Sequence, residues 1–295
     1  MILSDVTRLF RGDLSAVIEA ARIADAAGID QIAVPDHLAI GTRTDLYPGG
    51  QFHYSLEENW GEPLMMLASI AQATSRVRLA TAVLLAPLRP ALLLAKSLAT
   101  LDVLSKGRID IGVGTGWQQQ EIEAGSVAFA TRGRRMNDTL RACKALWRSS
   151  PASFESDTVS FRELRCLPLP VQPDGIPIWV GGNANPRNIE RITELAVGWM
   201  PILSASSAEL ESGTRALREA FTKAGRDPAE LQVRAGLDRV SDAAGNLDLD
   251  ATLAGLDKLP ERGVTHAGVG LEGFVRGADE VRPFLERVGA AARRS

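Results

Sequence analysis

Short apolar, β-branched runs alternate along this chain with longer segments whose apolar residues recur at helical spacing, and the pattern repeats about eight times. Such alternation reads as parallel strands joined by crossover helices. The strand runs fall at 1–3, 31–34, 77–82, 108–112, 177–180, 198–200, 231–235 and 266–269, the first being the weakest. Helical stripes appear at Leu14, Val17, Ile18 and Ala21, at Met136, Leu140, Cys143 and Trp147, and at Val281, Phe284, Leu285 and Val288. Gly28 and Gly225 stand where helices should end, and Asn185 followed by Pro186 offers an N-cap and a first-turn proline. In 295 residues, this count fits a single α/β domain over 1–295, a (β/α)8 TIM barrel. An open doubly wound sheet would have fewer strands and usually a second domain.

Two insertions break the spacing. Residues 39–61, which include "GTRTDLYPGGQFHYSLEENWG", form a polar, glycine-rich and aromatic loop after the second strand, and a loop of that length in a compact domain needs a reason. Residues 151–175, beyond the helix that follows the fourth strand, read as a small hairpin and a proline-rich approach to the fifth. Loops after barrel strands build the active face, so 39–61 is the expected substrate wall or lid. Tyr47, Phe52, His53, Tyr54 and Trp60 are its candidate substrate contacts, although each could equally pack the loop onto the barrel.

Partners are bounded by charge. A formal net charge of −3 and a pI near 5.8 give no basic field for nucleic acid or an anionic membrane, which leaves a small molecule as the expected partner. The longest apolar stretch, "LATAVLLAPLRPALLLA", is interrupted at Pro87, Arg89 and Pro90 and reads as strand, loop and helix. Cys143 and Cys166 are too few for a disulfide framework or a metal site, and a cytoplasmic location is the plain expectation. No paired His/Cys cluster suggests a metal, and no Gly-x-Ser-x-Gly elbow suggests a serine hydrolase.

Three stretches carry the chemistry. In "GRIDIGVGTGWQQQE", Gly112, Gly114 and Gly116 alternate at the end of the fourth strand and run into Trp117 and a polar cluster. A dinucleotide fingerprint would follow the first strand with different spacing. Alternating glycines can instead clear one wall for a planar ligand, or make a tight turn with no ligand at all. Asp36 and His37 end the second strand in "QIAVPDHL", where barrel side chains meet substrate and a histidine can move a proton. The alternative is a histidine bonded for structure alone. In "PIWVGGNANPRNIE", Gly181, Gly182 and Asn183 lead into a helix N-terminus, which makes either an anion site or an ordinary capped turn.

These pieces resemble the luciferase-like monooxygenase superfamily, in particular its coenzyme F420-dependent oxidoreductases. The similarity runs in order through "AARIADAAGIDQIAVPDHL", "EPLMMLASIAQATSRVRLATAVL", "RPALLLAKSLATLDVLSKGRIDIGVGTGWQQQE", "RGRRMNDTLRACKALW" and "PIWVGGNANPRNIERITELAVGWMP", spanning most of 20–201. The resemblance implies a barrel with insertions, a homodimer, and a flavin or F420 at the C-terminal face. It places His37 as the proton donor or acceptor beside the ring, with Asp36 preceding it in the motif. It matches Ala82–Val83 to a non-proline cis peptide behind the ring, and Gly114, Thr115, Gly116 and Trp117 to the cofactor-side loop. Gly181, Gly182 and Asn183 match the backbone site for the cofactor phosphate. Some F420 dehydrogenases have a glutamate where this chain has Trp117, so the sugar-phosphate and alcohol substrates that depend on it are disfavoured. The implied activity is hydride exchange between F420 and a small organic substrate. The alternatives are a two-component monooxygenase using reduced FMN, and a barrel that binds the cofactor without turnover.

Overall fold

The computed structural model describes residues 1–4, 6–48, 50–202 and 205–294. Its strands, in chain order, are β1 (Gln31–Val34), β2 (Arg78–Thr81), β3 (Leu84–Leu85), β4 (Ile111–Gly114), β5 (Ala152–Glu155), β6 (Ser160–Leu164), β7 (Ile178–Gly181), β8 (Gly198–Met200), β9 (Gln232–Gly236) and β10 (His266–Gly268). The helices are α1 (Val6–Phe10), α2 (Leu14–Ala27), α3 (Pro63–Ala73), α4 (Ala91–Ser105), α5 (Gln119–Ala124), α6 (Arg132–Arg148), α7 (Pro186–Leu195), α8 (Ser207–Lys223), α9 (Leu249–Leu253) and α10 (Ala278–Ala292).

Parallel pairing runs β1–β2, then β4–β7–β8–β9–β10. Three single bridges complete the ring. Leu79 of β2 pairs with Ile109 just before β4, Ile2 pairs with Ala33 of β1, and Gly270 beyond β10 pairs back to Ile2. The result is a closed barrel of parallel strands in which the first is reduced to the single bridging residue Ile2. It is short because few backbone bonds hold it, namely Ile2 N to Val269 O at 3.1 Å and Leu3 N to Ala33 O at 2.9 Å among them.

The punctuation read from the sequence acts as expected. Gly28 takes a φ of 93° at the end of α2 and donates to Ala24 O and Asp25 O. Asn185 caps α7, its side chain accepting from Asn188 N, and Pro186 fills the first turn. Helix α6 buries Met136, Leu140, Cys143 and Trp147 against α4, each burial stabilising by about 1.5–3 kcal/mol. The 151–175 insertion forms the antiparallel hairpin β5–β6, which lies along α6 and is tied to it by Thr158 Oγ1 donating to Asp138 at 2.8 Å. No helix among the described residues is long and apolar enough to cross a membrane.

The two ends of the barrel differ in chemistry. At the N-terminal end, Gln31 bridges Asp110 and Arg234 across the interior, and His266 rests edge-on against Trp179 at 4.9 Å. At the C-terminal end β4, β7, β9 and β10 finish in glycine, and the strands hand over to the loops that hold the candidate site.

Candidate functional site

Around the C-terminal rim, the strand ends bring His37, then Val83, then Thr115 to Trp117, then Gly181 to Asn183 into successive positions, because β1, β2, β4 and β7 are neighbours in the barrel. The Ala82–Val83 peptide is cis. The Val83 side chain lies over two strand ends. A Cβ on Gly114 would stand 2.6 Å from Val83 Cγ2, and one on Gly181 would stand 2.8 Å from Val83 Cγ1. Those two glycines therefore make room for a valine. The wall is apolar, but its surface is Val83 rather than the bare backbone read from the alternating glycines.

His37 is held from behind by a residue that sequence reasoning left without a role. Its Nδ1 lies 2.9 Å from Glu121 Oε2, with side chains only 10% and 1% exposed. Glu121 Oε1 accepts from Leu38 N at 2.6 Å and from Ala39 N at 3.3 Å. The rest of the polar cluster grips the same loop. Buried Gln118 accepts from Gly41 N at 2.6 Å and donates to Gly41 O at 3.0 Å, and Gln120 accepts from Arg43 N at 3.4 Å. The run after the glycines is thus a clamp by which α5 fixes the start of the 39–61 insertion.

Aromatic rings from that insertion close over His37. Its ring meets Trp60 at 4.9 Å, Trp117 at 6.0 Å and Phe52 at 6.4 Å, all edge-to-face. Tyr47 packs on Phe52 and Trp117, and Tyr54 on Phe52 and Trp60. Burial, and then the Glu272 carboxylate, push the Tyr47 phenol above its usual range, so it keeps its proton. His53 is exposed and stands outside this cluster, unlike the other four loop residues proposed to meet substrate. Beyond Trp60, a groove of about 410 Å³ is lined by Leu14, Leu38, Ile40 and Leu56 with Glu58 and Asn59 at its edge. That volume lies in the range of small-molecule sites.

Asp36 does not join the open face. Its carboxylate, 0% exposed, accepts from Leu85 N at 2.8 Å and from Arg89 at 2.5 and 3.1 Å. Arg89 also reaches Glu62, the N-cap of α3, at 2.8 Å. Burial opposes the Arg89 charge, but its bonds to Asp36 and Glu62 prevail and its pKa is raised. Both Asp36 oxygens are thus engaged by the ion pair that anchors the strand end bearing His37.

The expected anion site takes a more specific form. Gly182, at a φ of 110°, donates its N–H to Met200 O at 3.0 Å, so that group is already spent. The N–H groups of Asn183 and Ala184 have no partner among the described residues. Beside them Asn188 donates to Asn183 O at 2.8 Å and accepts from Arg191. Arg191 is 6% exposed and bonds Asn137 Oδ1 at 2.5 Å and Gly133 O at 3.4 Å. Among the described residues no carboxylate lies within ion-pair distance of it. Burial lowers its pKa; Glu190 opposes this, and Arg141 and Arg187 add to it. Arg191 is thus a buried cation held by neutral acceptors, with no counter-charge among the described residues, near the N-terminus of α7. Sequence reading found the turn but not Arg191, which sits beyond the capping motif on an otherwise ordinary helix.

A model of the luciferase-like monooxygenase family matches residues 4–244. The chain belongs to that family. An uncharacterised family relative from Mycobacterium tuberculosis is 32% identical over 275 residues, covering 92% of each chain. Among solved structures, the barrel is similar to the monooxygenase RslO1 of Streptomyces bottropensis, with a TM-score of 0.77, 19% identity and coverage of 96% of this chain and 94% of that one. It is also similar to an F420-dependent secondary alcohol dehydrogenase in complex with an F420–acetone adduct, with a TM-score of 0.75, 16% identity and 95% of each chain covered. At such identities, the structural likeness speaks for the TIM-barrel fold. Luciferase-like proteins are oxidoreductases and monooxygenases, and solved neighbours of this barrel include both F420-dependent and FMN-binding proteins.

Proposed function

We propose that this luciferase-like protein is an oxidoreductase that exchanges hydride between coenzyme F420 and a small organic substrate. The observation that carries the reading is the order of groups around the rim: the His37–Glu121 pair, the Val83 wall, then the uncompensated Arg191 with the N–H groups of Asn183 and Ala184. The residues fit a flat ring with a phosphorylated tail. Arg191, Asn183 and Ala184 would hold the phosphate, while Val83, Gly114, Thr115, Gly116 and Trp117 would form the wall behind and beside the ring. When bound, the deazaflavin supplies the hydride donor or acceptor. The chain's own contribution is orientation, exclusion of water by the Tyr47, Phe52, Tyr54 and Trp60 cluster, and proton handling at His37.

A flavin monooxygenase is the second reading, favoured by the likeness to a type II Baeyer–Villiger monooxygenase of Pseudomonas putida in complex with FMN, because the same wall and anion site would accept FMN. Parallel fluorescence titrations with F420 and FMN separate the two. Tight F420 and weak FMN binding is the expected result. The reverse preference overturns the F420 assignment in favour of oxygenation, and binding of neither overturns both.

A further inference from the structure

We infer that Glu121 is a positioning residue that holds neutral His37 in its Nδ1–H tautomer, so that Nε2 presents a lone pair to the substrate. This rests on His37 being the proton-handling group proposed above.

The argument is one of donors and acceptors. A carboxylate only accepts hydrogen bonds. One oxygen of Glu121 is fixed by two backbone donors, Leu38 N and Ala39 N, and the other faces His37 Nδ1 at 2.9 Å. That ring nitrogen must therefore carry the proton, which leaves Nε2 as the acceptor in the neutral ring. The edge-to-face contacts with Trp60, Trp117 and Phe52 leave the ring little freedom to turn over and exchange its nitrogens. A reaction of matching balance follows. With F420 bound as the two-electron hydride acceptor, His37 Nε2 would take the proton released when the O–H or N–H bond beside the reacting substrate carbon breaks, forming a new N–H bond there. The imidazolium so formed stands against the Glu121 carboxylate, and the reverse reaction returns the proton. With Trp117 in place of an acid and the Tyr47 phenol holding its proton, this route needs no second titrating group at the ring.

Glu121→Gln tests the inference because the surroundings dictate how the amide must sit. Its oxygen has to stay on Leu38 N and Ala39 N, since an NH2 there would set donors against donors. The NH2 then faces His37 Nδ1, which must become the acceptor, and the ring proton moves to Nε2. An isosteric change thus inverts the tautomer while keeping every hydrogen bond in place. Long-range ¹H–¹⁵N spectra of histidine-labelled protein report this directly, with His37 told apart from His53 and His266 by its loss in His37→Asn. In mildly alkaline solution the wild type should show the Nδ1–H pattern at His37, and Glu121→Gln the Nε2–H pattern. An Nε2–H pattern in the wild type, or the same pattern in both proteins, overturns the inference. Should Glu121→Gln fail to fold, the wild-type spectrum alone still decides it. No cofactor or substrate enters the measurement, so failure here is distinct from failure of the F420 reading.

Discussion

Asp36→Asn should cost stability through the buried ion pair rather than through any ligand. The asparagine keeps the size of the side chain but leaves Arg89, 9% exposed, with only Glu62 as an anionic partner at 2.8 Å. Removing one partner of a buried pair costs roughly 3–5 kcal/mol, and the surviving Glu62 contact places this case near about 3 kcal/mol. Unfolding entropy near about 2.1 cal/mol/K per residue gives roughly 0.6 kcal/mol/K for a chain of this length, so Tm should fall by about 5 °C. Calorimetry on Asp36→Asn, on Arg89→Met and on the double variant Asp36→Asn/Arg89→Met checks it. The double variant should recover most of the loss, because it leaves no buried cation there and the asparagine oxygen can still accept from Leu85 N. It should also bind cofactor as the wild type does. A Tm for Asp36→Asn within about 1 °C of wild type, or additive losses in the double variant, would refute the ion-pair argument. Loss of cofactor affinity in a stable double variant would restore Asp36 to the ligand site.

Three further outcomes follow from the same geometry. Arg191→Met removes a buried cation that has no counter-charge, so the free protein should be at least as stable as wild type; yet FMN or F420 should bind about 10-fold or more weakly, and riboflavin, which lacks the phosphate, should be unaffected. Equal losses for FMN and riboflavin would remove Arg191 from the anion site. Gly114→Ala puts a Cβ 2.6 Å from Val83 Cγ2 and should cost about 1–3 kcal/mol, most of it relieved by Val83→Ala; strictly additive denaturation midpoints would show that Val83 is not what the glycine accommodates. His266 has its pKa lowered from 6.5 by burial and by Arg234, with Asp110 opposing between them in size, so the unfolded chain binds the proton more readily than the native one. Its contribution is therefore intact above 6.5 and is lost progressively as pH falls below that value, and His266→Asn should flatten the drop in urea midpoint between about pH 7.5 and about pH 5.5.

The barrel was legible because each barrel strand is covered by helices outside and side chains inside, so β1 and β4 are buried at every position and read as apolar runs, with Gln31 at the start of β1 the exception. Strand ends were legible for a related reason: the residue after an apolar run is at the rim, which picked out His37 and Asp36 without any knowledge of their partners. The partners themselves were not legible. Glu121 lies 84 positions from His37, and Arg191 lies 54 from Asn137; no periodicity links residues that meet only because β1 and β4, or α6 and α7, are brought together by the closed ring. The distinction between Asp36 and His37 was hidden in the same way, since one faces Arg89 from a neighbouring connection and the other Glu121 from α5.

The glycines show a subtler limit. A sequence records that Gly114 and Gly181 lack side chains, but not which atom takes the space they leave. Here that atom belongs to Val83, at the end of a different strand, and its placement decides whether the wall of the site is polar backbone or aliphatic surface. An aliphatic wall offers a flat ring contact without hydrogen bonds. In the proposed function, recognition of a ring's polar edge would then come from the rim, where His37, Glu121 and the α5 clamp stand on one side and the α7 turn on the other. On the proposed function, specificity would then lie in the loops that these two clusters fix, and the polar run after the glycines would bear on it through its bonds to Leu38, Gly41 and Arg43.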